Sequence, residues 1–303
     1  MIQRSSLNNR HISGNLYSMG RFGVILLCIL FINCANSSQQ LDENNIILKY
    51  PVVLAHGIFA HDRQAAVDFW GRIPAVLREN GVIVFFGYTD AWGSYESNAE
   101  LLKATIDTIL FETKSEKVNI IAHSKGGIDS RYLIWKYDYG DKVASLTTIA
   151  TPHHGAELAD LIFQQKIIHS GTTKKVLKVI GELWGDINPD LYNVNYQLTT
   201  EKMKEFNEKI EMDTGTYYQS IYTTMRNSFD DLIFFYSYRY LYNMAGANDG
   251  TISESSAQWS DNITKFEGIS HAEILDVKKR KISGIHIPDI YVQIVKDLGN
   301  RGF

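Results

Sequence analysis

"KVNIIAHSKGGIDSRY", residues 117–132, decides the fold. An apolar run, Val118–Ala122, stops at a histidine, a serine, a lysine and two glycines, and a helical pattern follows. A strand ending at Ala122 and a helix beginning near Lys125 leave room only for small residues two before and two after the apex of the turn, and Ala122 and Gly126 stand there. The apex is Ser124. A corner this cramped lifts its hydroxyl above the carboxyl ends of the strands and turns the Lys125 backbone N–H toward any oxyanion formed beside it. The Lys125 side chain itself is expected to point to solvent.

Working outward, runs rich in branched and aromatic residues recur at "PVVLA" 51–55, "VIVFF" 82–86, "SLTTIA" 145–150 and "LIFFYS" 232–237. Runs that do not alternate read as strands covered on both faces. Helical spacing separates them, as in "ESNAELLKATIDTILFE", where Leu102, Ile106, Ile109 and Leu110 fall on one stripe. The expected fold is α/β, with a mostly parallel central sheet between helices. The alternation breaks after residue 155: from Leu158 to Glu211 the pattern is helical, and Val176, Leu177, Ile180, Leu183 and Trp184 form an apolar stripe. Taken alone, that stripe reads as a helix packed on the core.

A serine hydroxyl needs a base to take its proton and a carboxylate to orient the base. "GANDGTISESS" puts Asp249 in a turn after an apolar, strand-like segment, and "GISHAEI" puts His271 22 residues further on. The order Ser, Asp, His is that of α/β-hydrolases. A second oxyanion donor is expected from the loop after an earlier strand, and "PVVLAHGIFAHD" supplies the Ile58 N–H. His123 lies on the wrong side of Ser124 to act as base, and His153, His154 and His169 have no carboxylate partner recognisable in the sequence.

With 303 residues, 45% of them hydrophobic, the chain can bury one large core. The net charge is −4 with no dominant basic cluster, which argues against nucleic acid as a partner. The first 36 residues contain Arg4, Arg10 and Arg21, no acidic residue, and an apolar run from Phe22 to Ile32. That run is too short to span a bilayer and suits the apolar region of an export signal, so the expected location is secreted, periplasmic or membrane-anchored. The only cysteines, Cys28 and Cys34, fall in or just after it, leaving residues 45–303 without a disulfide framework. "LFINCANSS" resembles the lipidation site of bacterial lipoproteins, with Cys34 as the modified residue; cleavage between Ala35 and Ser38 and release is the alternative.

These residues together resemble the bacterial triacylglycerol lipases of the Pseudomonas type, within the α/β-hydrolase superfamily. The likeness is carried by "YPVVLAHGIF", "AHSKGG", "TPHHG" at 151–155, "LTTEKMKEFN" at 198–207, and "NDG" with "HAEI", and it covers residues 49–277. It implies Ser124 as nucleophile, His271 as base, Asp249 as its partner, and Ile58 and Lys125 as backbone oxyanion donors. It also implies a helical lid within 158–211, whose stripe at Val176–Trp184 would face the acyl pocket or the lipid. The chemistry implied needs no cofactor. Many members hold a structural calcium through an aspartate two residues after the histidine and a glutamine four beyond it. Glu273 and Val277 stand there, and the second offers no side-chain oxygen, which puts the ion in doubt.

The activity expected is that of an exported carboxylic-ester hydrolase, a lipase acting at an interface. A small-ester carboxylesterase or thioesterase is the alternative within the class, and an inactive surface lipoprotein that binds lipid or a partner is the alternative outside it. Acyl length, alcohol moiety and the need for a folding helper are not legible.

Overall fold

The computed structural model of the chain describes residues 46–58, 69–165 and 169–303. Among these residues six strands form one sheet in the order β2-β1-β3-β4-β5-β6: β1 Val52–Ala55, β2 Val84–Phe86, β3 Val118–His123, β4 Val143–Ile149, β5 Tyr217–Thr224 and β6 Ile263–Glu267. Every neighbouring pair is parallel, with Ala55 opposite Ala122, His123 opposite Ile149 and Ile149 opposite Ile221.

The pleat explains why the strand runs are continuously apolar. Val52 and Leu54 point to one face of the sheet, where Ile121, Ile149 and Ile221 meet helices α1 (Ile73–Glu79) and α10 (Ile287–Asn300). Val53 and Ala55 point to the other, where Ile120, Ala122 and Leu146 meet α2 (Tyr95–Thr113) and α3 (Lys125–Tyr137). Leu102, Ile106 and Ile109 are the buried face of α2, whose first turn is capped by the Ser94 hydroxyl accepting from the Ser97 N–H.

Among the described residues between β4 and β5 are four helices, α4 (Glu157–Phe163), α5 (Gly171–Trp184), α6 (Leu191–Gln197) and α7 (Thr200–Lys209). Val194, Leu198, Met203 and Phe206 seat α6 and α7 on a third cluster with Ile128, Tyr222 and Ile252. After β5 come α8 (Phe235–Ala245) and the short α9 (Glu254–Ala257).

One expected strand is not a strand, and two strands appear that the sequence pattern did not announce. "LIFFYS" is a 3₁₀ turn at Leu232–Phe234 running into α8, not a strand. Asp231 caps that turn through the Ile233 N–H, and only Tyr238 and Leu241, one helical step apart, are buried on α8. The fifth strand is instead "YYQSIYTT", rich in the β-branched and aromatic residues that suit a pleated surface but broken up by polar ones. Edge strand β6, "ITKFE", is mostly exposed and carries almost no apolar signal.

Candidate active site

Ser124 sits between the last residue of β3 and the first of α3 with φ 54° and ψ −129°. A non-glycine residue in this region costs about 1–3 kcal/mol and persists only where its surroundings over-determine it. Here they do. The Ser124 N–H donates to the Ile149 carbonyl at 2.8 Å, and its own carbonyl accepts from the Gly127 N–H at 3.0 Å and the Thr151 hydroxyl at 2.8 Å. A side chain on Gly126 would put its Cβ 2.5 Å from the His56 carbonyl oxygen and 2.6 Å from that of Ala55. One on Gly57 would stand 2.6 Å from the Ser124 Cβ, so the loop after β1 runs directly beside the serine.

The other two expected residues arrive from different elements. The Met225 N–H donates to the Asn248 carbonyl at 2.8 Å, which brings the Asp249 turn back to the end of β5, although α8 and not a strand precedes it. The Gly268 N–H, just past β6, donates to the Thr224 carbonyl at 2.7 Å and sets the loop that carries His271. Asp249 is buried. Its Oδ1 accepts from the Thr251 and Ile252 N–H groups at 2.9 and 2.7 Å, leaving Oδ2 for His271 Nδ1 at 2.7 Å. His271 Nε2 lies 3.1 Å from Ser124 Oγ. A carboxylate oxygen only accepts here, so Nδ1 holds the proton and the Nε2 lone pair faces the serine.

Lys125 opens α3, so its N–H has no intrahelical acceptor, and Ile58 follows Gly57 with its side chain partly buried against the third core cluster. The Lys125 side chain departs from expectation. It is 1% exposed, and its Nζ meets Asp129 Oδ1 at 2.6 Å inside the protein. Asp129 Oδ2 accepts from the Asn98 amide at 2.9 Å, and that amide also donates to the Asp90 carbonyl while its oxygen accepts from the Asp90 N–H. Burial pushes the Asp129 carboxyl up despite the opposing pull of the Lys125 ammonium and Asn98. Lys125 turns inward because an i, i+4 carboxylate awaits it on α3, a spacing visible in "KGGID".

His123 is engaged elsewhere than at the serine hydroxyl. Its Nε2 donates to the His271 carbonyl at 3.1 Å, and its ring lies 4.6 Å from that of His271. Burial, then the neighbouring His271, holds it well below the ordinary histidine range, so it stays neutral beside His271. His153 is fully buried and stacked on Trp259 at 4.4 Å. Arg131 donates to its Nδ1 at 3.2 Å, and its Nε2 bonds the Thr148 hydroxyl at 3.0 Å. The Arg131 guanidinium, with burial pulling it down to about 9, lies 4.1 Å over Trp259 and donates to Asn207. Arg131, Asn207 and Trp259 were not legible as a group, because they meet only in space.

On α5, Val176, Val179 and Ile180 are exposed and Leu177 is half-buried; the side chains of Leu183 and Trp184 lie outside what is described, as do Cys34 and residues 1–36. The loops at the base of α5 are clasped twice. Asp186 accepts from the Ala91 and Trp92 N–H groups, and Asp90 accepts from those of Ile187 and Asn188, all at 2.7–2.9 Å. Glu273 is buried, and both of its oxygens are engaged, Oε1 by Lys278 at 2.6 Å and Oε2 by the Ser270 N–H at 3.1 Å. Val277 adds no side-chain oxygen, so these residues do not fit a calcium ion.

Residues 91–178, which include Ser124, match the family described as PGAP1-like alpha/beta domain. The chain is 37% identical to a triacylglycerol lipase of Vibrio cholerae over 131 residues, 43% of this chain and 41% of that protein. It is 25% identical to triacylglycerol lipase 2 of Saccharomyces cerevisiae over 297 residues, 89% of this chain and 82% of the yeast protein. The matched segment thus spans less than half of the Vibrio relative. Among solved structures, the mature Bacillus licheniformis lipase superposes with a TM-score of 0.62 at 23% identity, covering 84% of this chain and 94% of that one. A metagenomic carboxyl esterase does so at 0.66 and 13%, covering 86% and 78%. At these identities the structural likeness speaks for the fold, and the sequence likeness adds the kind of relative: the chain is an α/β-hydrolase by fold, similar in sequence to bacterial triacylglycerol lipases.

Proposed function

We propose that the chain is a serine hydrolase of lipid esters, working through an acyl-enzyme on Ser124. The observation that carries this reading is the unbroken line of hydrogen bonds from Asp249 through His271 to Ser124 Oγ at the apex of a strained turn. His271 Nε2 takes the hydroxyl proton as Oγ bonds to the ester carbonyl carbon, and the carbonyl oxygen becomes an oxyanion beside the Ile58 and Lys125 amides. Collapse breaks the ester C–O bond, and the imidazolium returns its proton to the departing alkoxide, which leaves as the alcohol. Water then gives a proton to His271, attacks the acyl carbon, and releases the acid while Ser124 regains its hydrogen. Asp249 holds the Nδ1–H tautomer and balances the transient charge; no cofactor takes part.

The names of the relatives support acylglycerol esters as substrates, and the exposed Val176, Val179 and Ile180 on α5 support a lid that meets lipid. The Arg-flanked apolar run Phe22–Ile32 supports export, with Cys34 as anchor or with cleavage after it.

The test compares wild type with Ser124→Ala on dissolved nitrophenyl esters and emulsified triglyceride, alongside fluorophosphonate labelling. Wild type should label at Ser124 and gain rate at the emulsion. Ser124→Ala should fold, fail to label and lose turnover; a fully active variant would overturn the assignment. Absence of any interfacial gain in wild type would move the substrate to small soluble esters.

A further inference from the structure

The loop carrying His271 is held by a charge cluster outside the relay. Asp231, from the turn before α8, and Glu273, two residues after His271, are both buried, and their carboxylates share one cation: Lys278 Nζ lies 2.6 Å from Glu273 Oε1 and 3.3 Å from Asp231 Oδ1. Ser270, immediately before His271, is fully buried and tied to both acids. Its hydroxyl donates to Asp231 Oδ2 at 2.7 Å, its N–H donates to Glu273 Oε2 at 3.1 Å, and the Glu273 N–H donates to its hydroxyl at 3.2 Å. Two buried carboxylates converging on one serine repel each other unless a positive charge stands between them.

We propose that Lys278 is a positioning residue for His271, its ammonium serving as a built-in cation in the place where the likeness to calcium-holding lipases would put a metal ion. Burial alone would lower the Lys278 ammonium, but the hydrogen bond and charge of Glu273, with Asp231, outweigh it and raise it above the ordinary lysine range. A divalent ion would need free oxygen ligands, and the four carboxylate oxygens here are already taken by Lys278, Ser270 and the Ile233 N–H. The rest of the loop is secured independently, by the His271 N–H on the Asp249 carbonyl at 2.9 Å and by Arg72 on Asp276 at 2.7 Å. Loss of the ammonium therefore lets Ser270 and His271 shift without unfolding the loop, and an imidazole displaced by about 1 Å costs on the order of 10²-fold in rate.

The proposal rests on the hydrolase reading, so its test has arms that do not need turnover. Lys278→Met should lower kcat on a soluble ester about 10- to 100-fold with KM little changed, and Lys278→Arg should restore most of it. Calorimetry should detect Ca²⁺ binding to Lys278→Met, whose acids are then uncompensated, and not to wild type. Wild-type melting temperature and activity should ignore both chelator and added Ca²⁺. If Lys278→Met does not fold, Lys278→Met/Asp231→Asn, with one fewer buried charge, carries the same comparison. Chelator-sensitive wild type, or a folded Lys278→Met variant with unchanged kcat, would overturn the proposal. Failure of fluorophosphonate to label wild-type Ser124 would instead overturn the hydrolase reading, while the calcium and melting arms still report on Lys278.

Discussion

The buried pair Lys125–Asp129 lies directly behind the serine turn, and removing one partner tests what that pair does. The side chains are 2% and 1% exposed and 2.6 Å apart, and beyond Lys125 the carboxylate has the Asn98 amide. Asp129→Ala strands an ammonium in the interior, a change that costs about 3–5 kcal/mol. Lys125→Met should cost less, since burial already pushes the Asp129 carboxyl up and the group left behind can take a proton. The double variant Lys125→Met/Asp129→Leu replaces both charges with apolar volume and should fall within about 1 kcal/mol of wild type, or above it. Urea unfolding of the four proteins, followed by circular dichroism, gives the coupling energy of the cycle. Turnover of the folded Lys125→Met variant on a soluble ester should stay within about threefold of wild type, because the ammonium points to Asp129 and the proposed mechanism uses only the backbone N–H. A single Asp129→Ala cost below about 1 kcal/mol, or a double variant as unstable as the sum of the singles, would refute the reasoning.

Gly126→Ala should destabilise the chain by about 1–3 kcal/mol or prevent folding, because the atoms its Cβ would strike are the backbone oxygens of Ala55 and His56, which cannot swing aside; a thermal melt of the variant checks this. Stability should fall with acidification below about pH 6.5. His123 and His153 are both held well below that value in the folded state, chiefly by burial, with His271 and His56 acting on the first and Arg131 and His154 on the second. The unfolded chain therefore binds protons that the folded one refuses, and each histidine adds a slope of about 1.4 kcal/mol per pH unit once its unfolded form is protonated. Replacing His153 with Gln should remove one of these slopes from the pH dependence of the urea midpoint; an unchanged slope would show that His153 takes up a proton in the fold.

Where a signal is local, the sequence carried it. The apolar runs at β1, β3 and β4 lie between two helical layers, so nearly every position is buried and the composition itself announces a strand. The serine turn was legible from the small residues placed around Ser124, although the clash that bars a side chain from Gly126 is with the backbone of Ala55 and His56, brought there by the pairing of β1 with β3. At β5 and "LIFFYS" composition misled: aromatic density raises strand propensity wherever it occurs, and only tertiary packing made one segment a strand and left the aromatics of the other on an exposed helix. The types and order of Ser124, Asp249 and His271 could be read in advance, but their meeting at 2.7 and 3.1 Å required the ends of β3, β5 and β6 to line up in one sheet. The Arg131–Trp259–His153 stack and the Lys278 ammonium between two acids were decided by tertiary structure alone, and the inward turn of Lys125, whose i, i+4 partner Asp129 stands in the sequence, needed the burial of that pair. A charged side chain takes its direction from the desolvated partner it finds, and those partners are fixed by packing over long stretches of chain.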